Sequence, residues 1–250
     1  MVKITPISAF QDNYIWLLHK DGHAIVIDPG DATPVIRFLK QYHLHLDAIL
    51  ITHHHADHID GVDSLLNLYP AMVYAPAKEH YNFTHIAVSE STEIHLANLN
   101  LSFQVLEVPG HTLGHVAYYG SNYLFCGDTL FGAGCGRLFE GSPEQMYNSL
   151  QRLAALPAET AVYCTHEYTE RNIKFALTLE PNNQNLIIRA QSSREQRSQN
   201  KPTLPSTIAL ELATNPFLRC EVSEIQSSSK TNSSLPINVF TAIRQLRNQF

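Results

Sequence analysis

The chain has 250 residues, a formal net charge of −6, and 44% hydrophobic and 16% charged residues. These values are typical of a globular protein with a sizeable core, and the negative charge does not favour nucleic acid as a partner. The first residues lack the apolar core of a signal peptide, and no apolar run has the length of a bilayer span. Four cysteines without C-x-x-C spacing are typical of reduced thiols. We therefore expect a cytoplasmic protein without a nucleic-acid or membrane partner.

The first two-thirds of the chain alternates apolar runs of strand length with stretches of helical periodicity. Hairpin turns are indicated at Lys20-Asp21-Gly22 and Gly120-Ser121-Asn122, and Thr33 followed by Pro34 has the composition of a helix start. Strands in hairpins mixed with helices indicate an α/β domain in which helices cover sheets. The predicted strands are 14–18, 24–27, 48–51, 103–106, 116–119, 123–126 and 161–164, and the predicted helices are 34–39 (with Thr33 as N-cap), 60–68 and 143–153.

The pattern changes after His166, and no convincing strand follows it. The stretch 223–234 is rich in Ser, Thr and Asn and is predicted to be a mobile loop. We place a domain boundary near residue 168, which gives a larger α/β domain of residues 1–168 and a smaller helical domain of residues 169–250. The predicted helices of this smaller domain are 170–179, 185–198 and 236–248.

The segment 52–58 has the sequence Thr-His-His-His-Ala-Asp-His, which contains the pattern H-x-H-x-D-H directly after a predicted strand. Strand periodicity predicts that His53 and His55 project from one side, whereas His54 points to the other and does not coordinate. Imidazole together with carboxylate suits Zn, Fe or Mn better than a hard ion such as Ca. A solvated His-rich loop is the alternative, and it is disfavoured because compatible ligands recur downstream.

Three further apolar strands are each followed by a metal-competent side chain, namely His111, Asp128 and His166. Strand ends along one sheet edge would gather such groups on rigid supports. His115 follows His111 by four residues, but the glycines around it argue against a regular helix, so a supporting role is expected.

Other local patterns have less specific interpretations. Cys164 and His166 could form a nucleophilic pair, although a buried thiol is favoured. His43 and His45 also have H-x-H spacing, but no carboxylate–histidine pair follows closely, and we expect them at the surface.

The H-x-H-x-D-H segment, the Gly-His-Thr turn at 110–112, the Gly-Asp-Thr sequence at 127–129 and the late His166 together resemble the metallo-β-lactamase superfamily. Further motifs are similar to its glyoxalase II (hydroxyacylglutathione hydrolase) family, and the resemblance covers essentially the whole chain. It implies an αββα sandwich followed by a smaller C-terminal helical domain that binds substrate. The family motifs are Gln11-Asp12-Asn13-Tyr14, Gly134-Cys135-Gly136-Arg137, His166-Glu167-Tyr168-Thr169 and Asn215-Pro216-Phe217.

The resemblance also implies two divalent metal ions, zinc first, with iron or manganese as alternatives. A hydroxide that bridges the ions, held by Asp128 and Asp57, would attack a carbonyl carbon, since one bound zinc lowers the pKa of water from about 15.7 to about 7. A metal would stabilise the developing oxyanion. Carried over by motif position, the first ion is bound by His53, His55 and His111, the second by Asp57, His58 and His166, and both by Asp128.

By resemblance, the activity is hydrolysis of S-(2-hydroxyacyl)glutathione, foremost S-D-lactoylglutathione, to glutathione and a 2-hydroxy acid (D-lactate), the second step of methylglyoxal detoxification. Arg244 and Arg247 lie three residues apart on the final predicted helix, hence on one face, and two guanidinium groups suit a carboxylate. They would hold the glycine carboxylate of glutathione, and a solvated basic face is the alternative. Arg137 and Tyr168 match further glutathione-contacting positions.

Two positions depart from the pattern of many family members, which carry Lys at the position of Arg137 and Tyr at that of Phe139. These changes bear on substrate affinity rather than on the chemistry.

The alternative function on the same fold is an iron-dependent persulfide dioxygenase acting on glutathione persulfide. A β-lactamase would normally be exported, a tRNA nuclease should have a basic RNA surface, and a non-enzymatic metal-binding protein would not need the complete ligand set. We expect a monomer.

Overall fold

The computed structural model describes residues 1–250, and the chain divides into two compact units. The first unit comprises Met1–Glu107 and Leu113–Gly127, and the second comprises Val108–Thr112 and Asp128–Phe250. The domain boundary near residue 168 stays a prediction. None of the helices combines the length and apolar character that crossing a bilayer demands.

The first unit is built mainly from strands. Its first six strands form one sheet in chain order, antiparallel from β1 to β3 and parallel from β3 to β6, and β7 to β10 pair in sequence as antiparallel neighbours. The elements are β1 Lys3–Ala9, β2 Asn13–Lys20, β3 His23–Ile27, α1 Ala32–Gln41, β4 His45–Leu50, α2 Ala56–Ile59, α3 Val62–Leu66, β5 Met72–Pro76, β6 Ile86–Val88, β7 Glu93–Leu96, a 3-10 helix Ala97–Leu99, β8 Leu101–Glu107, β9 Val116–Gly120 and β10 Tyr123–Gly127.

Central strands of this unit are buried on both faces. Leu17 and Leu18 on β2 point to opposite faces, yet both are fully buried, as expected where a sheet is covered on each side. The Tyr118 hydroxyl on β9 donates to the Ile51 carbonyl oxygen directly after β4, at 2.6 Å. This contact ties the second group of strands to the carboxyl end of the parallel strands, where the histidine segment begins.

Two predicted helix starts in this unit were wrong. Helix α1 begins at Ala32 rather than Pro34, because the Asp31 carboxylate accepts a hydrogen bond from the Thr33 backbone N–H and caps the helix two residues earlier. The single helix predicted at 60–68 is instead α2 and α3, separated at Gly61. A Cβ atom at Gly61 would lie 2.3 Å from the Pro29 carbonyl oxygen, so the close approach of two backbones interrupts the helix.

The second unit is mainly helical. Its predicted strand and its four predicted helices are confirmed to within two residues. The elements are β11 Leu130–Phe131, β12 Gly134–Cys135, α4 Pro143–Ala154, β13 Ala161–Cys164, α5 Thr169–Leu179, α6 Gln184–Ser198, β14 Ser206–Thr207, α7 Ile208–Thr214, a 3-10 helix Pro216–Leu218, α8 Ser223–Ser228 and α9 Pro236–Gln249.

Two features of the second unit differ from prediction. The loop predicted at 223–234 begins as helix α8, which buries Ile225 completely and is stabilised by that contact despite its serine-rich composition. A strand, β14, and a helix, α7, follow His166, where no strand was expected. Helix α7 carries Glu211, which is fully buried and accepts hydrogen bonds from the Arg189 guanidinium and the Ala133 backbone N–H.

Candidate metal centre and adjoining cavity

The H-x-H-x-D-H segment follows β4 and runs into helix α2. His53 and His58 are fully buried. His53 Nε2 lies 3.0 Å from His55 Nδ1, and His58 Nε2 lies 3.6 Å from Asp57 Oδ2. The segment therefore arranges its four predicted ligands as two adjacent pairs, one of two imidazoles and one of an imidazole and a carboxylate.

Asp28 supports this segment from the end of β3. Its carboxylate accepts from the Thr52 backbone N–H at 2.8 Å and from the Thr52 hydroxyl at 2.7 Å, and its Oδ2 lies 3.0 Å from His58 Nδ1. Asp28 has a positive φ of 52°, a conformation that non-glycine residues seldom adopt outside constrained sites. A carboxylate on Nδ1 fixes the ring and directs Nε2 outward, as is typical of metal-binding histidines. This role of Asp28 could not be predicted from the sequence, because Asp-Pro-Gly is also typical of an ordinary turn.

Asp57 is held at both its backbone and its side chain. The Asn13 side-chain amide donates to Asp57 Oδ2 at 2.9 Å, which gives a structural role to one residue of the Gln11-Asp12-Asn13-Tyr14 motif. A Cβ atom at Gly30 would lie 1.9 Å from the Asp57 carbonyl oxygen. Only glycine at position 30 allows the α2 backbone to approach this closely.

His54 and His115 have identifiable neighbours in the same unit. His54 Nδ1 lies 3.3 Å from Glu79 Oε2, and the same oxygen accepts from the Tyr81 hydroxyl at 2.9 Å. Burial, followed by the charge of Glu79, raises the pKa of Tyr81, so the phenol stays a donor. The buried ring of His115 stacks on His53 with a centroid distance of 4.6 Å, a contact through which it supports His53.

The second unit supplies the other three predicted ligands, all of them buried. Asp128 Oδ2 lies 3.4 Å from His111 Nε2 and 3.3 Å from His166 Nε2. His111 Nδ1 lies 2.7 Å from the Arg137 carbonyl oxygen, which can only accept, so Nδ1 carries the proton and donates. In the neutral ring, the lone pair of Nε2 then faces a carboxylate oxygen. Two lone pairs that face each other repel unless a cation lies between them. The Nε2 atom of His111 and the carboxylate of Asp128 are therefore arranged as ligands of a metal ion.

The β11–β12 hairpin closes over this group. A Cβ atom at Gly136 would lie 1.9 Å from the Asp128 carbonyl oxygen and 3.3 Å from His111 Nδ1. Glycine at this position of the Gly134-Cys135-Gly136-Arg137 motif therefore lets the hairpin backbone contact the Asp128 backbone, and the Arg137 carbonyl that follows lies at His111.

A cavity of about 310 Å³ in the second unit adjoins Asp128 and His111. All four residues predicted to bind substrate line it, and so do Arg171 and Asn172, which were not predicted. Helical periodicity on α5 places Arg171 and Asn172 next to Tyr168, but the sequence does not show which face of α5 borders a cavity. The lining residues are His111, Asp128, Phe131, Cys135, Arg137, Phe139, Tyr168, Arg171, Asn172, Arg244, Arg247 and Asn248.

The two arginines of α9 differ in their surroundings. Arg244 is only 7% exposed, donates to the Cys135 carbonyl oxygen at 2.8 Å, and lies over the Phe217 ring. A solvated basic face is therefore excluded for Arg244. Arg247 donates to Asn172 Oδ1 at 3.1 Å, and burial, followed by the charges of Arg244 and Arg171, lowers its pKa. Several guanidinium groups that line one cavity favour an anionic ligand there.

Aromatic side chains form the rest of the wall. Tyr168 stacks on His166 with ring planes 3° apart, and the Arg137 guanidinium lies 5.8 Å from the centre of the Phe139 ring. Phe139 is 61% exposed, so it presents an apolar surface beside these cations.

Cys164 is buried and its Sγ lies 3.8 Å from the His166 carbonyl oxygen, as expected for a buried thiol.

This fold and donor set define a protein of the metallo-β-lactamase class. The model of the metallo-β-lactamase superfamily matches residues 10–166, and the model described as hydroxyacylglutathione hydrolase C-terminus matches residues 167–250. The structure is similar to that of ETHE1 from Myxococcus xanthus, with a TM-score of 0.67 and 26% identity over 99% of this chain and 98% of that one. The predicted fold class is thereby confirmed.

Full-length relatives identify the family more narrowly. The chain is 57% identical to a hydroxyacylglutathione hydrolase from Methylobacillus flagellatus and 51% identical to one from Nitrosomonas eutropha, in both cases over the whole of each protein. The chain belongs to the hydroxyacylglutathione hydrolase family, and the resemblance stated from its motifs is confirmed.

Proposed function

We propose that this protein is a metal-dependent thioester hydrolase that cleaves S-(2-hydroxyacyl)glutathione, foremost S-D-lactoylglutathione, to glutathione and a 2-hydroxy acid (D-lactate), the second step of methylglyoxal detoxification. The observation that carries the proposal is the 57% full-length identity to a relative named for this activity. The arginine-lined cavity beside Asp128 supports it, because glutathione thioesters are anionic and have a carbonyl to present to such a centre.

The chain contains histidine and aspartate groups able to hold divalent metal ions. We infer two ions per chain, zinc first, with iron or manganese as alternatives. When bound, divalent ions lower the pKa of water and polarise a carbonyl group. The residues that would hold them are His53, His55 and His111 for the first ion, Asp57, His58 and His166 for the second, and Asp128 for both.

The protein's own side chains have distinct tasks in this proposal. Asp28 and the Arg137 carbonyl fix His58 and His111 with Nε2 available for coordination. Arg247 and the neighbouring cations would bind the glutathione carboxylates away from the reacting carbon, and binding there would orient the thioester. The departing thiolate is stable near neutral pH, so no side chain has to protonate it.

Full-length relatives at 57% and 51% identity carry the hydrolase name, and this favours the hydrolase over the persulfide dioxygenase alternative. Localisation in the cytoplasm and a monomeric state remain part of the proposal.

The test of the proposed function combines elemental analysis with an assay of thioester cleavage. We expect about two metal ions per chain, release of glutathione from S-D-lactoylglutathione, loss of activity on chelation, and its recovery when Zn²⁺ is returned. Oxygen consumption with glutathione persulfide is the parallel assay for the alternative. Fully metal-loaded protein that does not cleave glutathione thioesters would contradict the hydrolase proposal.

Replacing Arg247 by alanine should raise KM about tenfold and change kcat by less than about twofold. One charge-assisted hydrogen bond is worth about 1.5–3 kcal/mol, and a contact remote from the reacting carbon is present equally in the ground state and the transition state. Steady-state kinetics with S-D-lactoylglutathione measure both constants. Arg194→Ala is the matched control, since Arg194 is exposed on α6 and does not line the cavity. A fall in kcat at constant KM would contradict the binding role.

A further inference from the structure

His23, His45 and Asp47 form a compact donor cluster in the first unit that the proposed function does not use. His23 Nδ1 lies 2.9 Å and His45 Nδ1 2.7 Å from the same carboxylate oxygen, Asp47 Oδ1. The three atoms lie within 4.8 Å of one another. His45 was expected at the surface because no carboxylate–histidine pair follows it closely in the sequence, and it is exposed. Its partners come instead from the neighbouring strand and from two residues further along its own.

Strand pairing brings the cluster together. Strands β3 and β4 are parallel, and His23 is the register partner of His45. The register shifts after Ala24, so that Asp47 lies between Leu46, which pairs with Ala24, and Ala48, which pairs with Ile25. His45 and Asp47 are two residues apart on β4, so their side chains project from the same face of the strand, as in any regular strand. The arrangement is therefore a consequence of non-local pairing that the spacing of histidines along the chain does not reveal.

Asn98 completes the arrangement from the 3-10 helix. Its side-chain amide donates to Asp47 Oδ2 at 2.9 Å, which leaves Oδ1 directed at the histidines. Partial burial opposes ionisation of Asp47, but the hydrogen bonds from His23, Asn98 and His45 outweigh it and lower the pKa. A charged carboxylate that is oriented by a neighbouring amide is the usual form of a carboxylate that binds a metal ion.

We propose that His23, His45 and Asp47 bind one borderline divalent cation of the Zn²⁺ type, with solvent as the remaining ligand. Two imidazoles and a carboxylate are the donors that zinc prefers. Tetrahedral zinc with bonds of about 2.0–2.1 Å separates its donor atoms by about 3.3 Å, so the cluster has to open by about half an ångström. The histidine side chains are 37% and 55% exposed and can move that far. On binding, the Nδ1 proton of each ring passes to Nε2, the other ring nitrogen.

This site is independent of the catalytic ligands. His45 begins β4, whereas His53 lies beyond the end of the same strand. Six residues of strand at about 3.3 Å per residue separate the two ends by more than about 15 Å. A cation at the start of β4 would link two strands, and by binding only the folded state it would stabilise the first unit without entering the reaction.

The experiment uses untagged protein whose catalytic sites are first saturated with Zn²⁺ and freed of excess metal, with the content verified by elemental analysis. Isothermal titration with further Zn²⁺ should show one additional equivalent. His45→Gln and Asp47→Asn should each weaken this additional binding by at least about tenfold, while thioesterase activity and metal content before the titration stay unchanged.

His95→Gln is the matched control, because His95 is an exposed histidine of the same unit whose Nε2 lies 3.7 Å from a single carboxylate, Glu93. It should bind the additional equivalent as the unchanged protein does. The proposal is overturned if the Zn²⁺-saturated protein binds no further equivalent, or if His45→Gln and Asp47→Asn bind it as tightly as His95→Gln. Either result would leave the cluster as a hydrogen-bonded group only.

Discussion

Replacing Asp128 by asparagine is expected to lower kcat/KM for S-D-lactoylglutathione by about a thousandfold or more, equivalent to about 4 kcal/mol of transition-state stabilisation. Asp128 Oδ2 lies between His111 Nε2 and His166 Nε2, at 3.4 Å and 3.3 Å. Asparagine preserves the size of the side chain but removes its negative charge, and its NH₂ group can turn toward the ring nitrogens. The proposed shared ligand is then lost, and the metal content should fall together with the activity.

Kinetics and elemental analysis of the same preparation test this expectation. Asp63→Asn is the matched control. Asp63 is an exposed aspartate on α3, so this substitution makes the same chemical change away from the proposed centre. Circular dichroism verifies that Asp128→Asn is folded. An Asp128→Asn protein with normal metal content and normal kcat/KM would exclude the shared-ligand role.

The metal-competent residues could be predicted because they follow local rules. His53 and His55 come directly after an apolar strand, and His166 comes two residues after the end of β13, so strand periodicity and strand ends alone indicated them. The long helices α4, α5, α6 and α9 were likewise predicted to within two residues from their local sequence. Each of these features depends on residues that are close in the sequence.

The missed features depend instead on contacts between distant parts of the chain. Asp28 supports His58 only because β3 and β4 pair in parallel, and the sequence Asp-Pro-Gly gives no indication of that contact. Strand β1 contains Pro6, which lowers the strand propensity, yet it is tolerated where a strand lies at the sheet edge. The arginine pair on α9 was visible as one helical face, but the burial of Arg244 follows from the packing of that face against the Phe217 ring.

Helix α7 contains another feature that depends on contacts between distant parts of the chain, and this feature has a large effect on stability. Its Glu211 carboxylate is fully buried and accepts from the Arg189 guanidinium, the Ser206 hydroxyl, the Ala133 backbone N–H and the Asn215 side-chain amide. Charged residues are rarely buried unless they are paired, so neither Arg189 nor Glu211 is recognisable as a core residue from its type. Their pairing is decided by how α6 and α7 pack together.

Replacing Glu211 by leucine should therefore lower the free energy of unfolding by about 3–5 kcal/mol, because it leaves the buried Arg189 charge uncompensated. For a chain of this size the melting temperature should fall by about 10 °C. Chemical denaturation and thermal melts measure these quantities, and Glu195→Leu, which changes an exposed glutamate of α6, should shift them little.

The double variant Arg189→Met with Glu211→Leu separates the charge from the packing. If the cost of Glu211→Leu arises from the stranded guanidinium, then removing that charge should restore part of the lost stability, and the double variant should be more stable than the sum of the two single changes implies. Additive losses would instead attribute the cost to the hydrogen bonds of Ala133 and Asn215. Because Ala133 adjoins the β11–β12 hairpin and Asn215 donates to the Gly134 carbonyl oxygen at 2.8 Å, such a result would mean that Glu211 chiefly positions the hairpin that closes over His111 and Asp128.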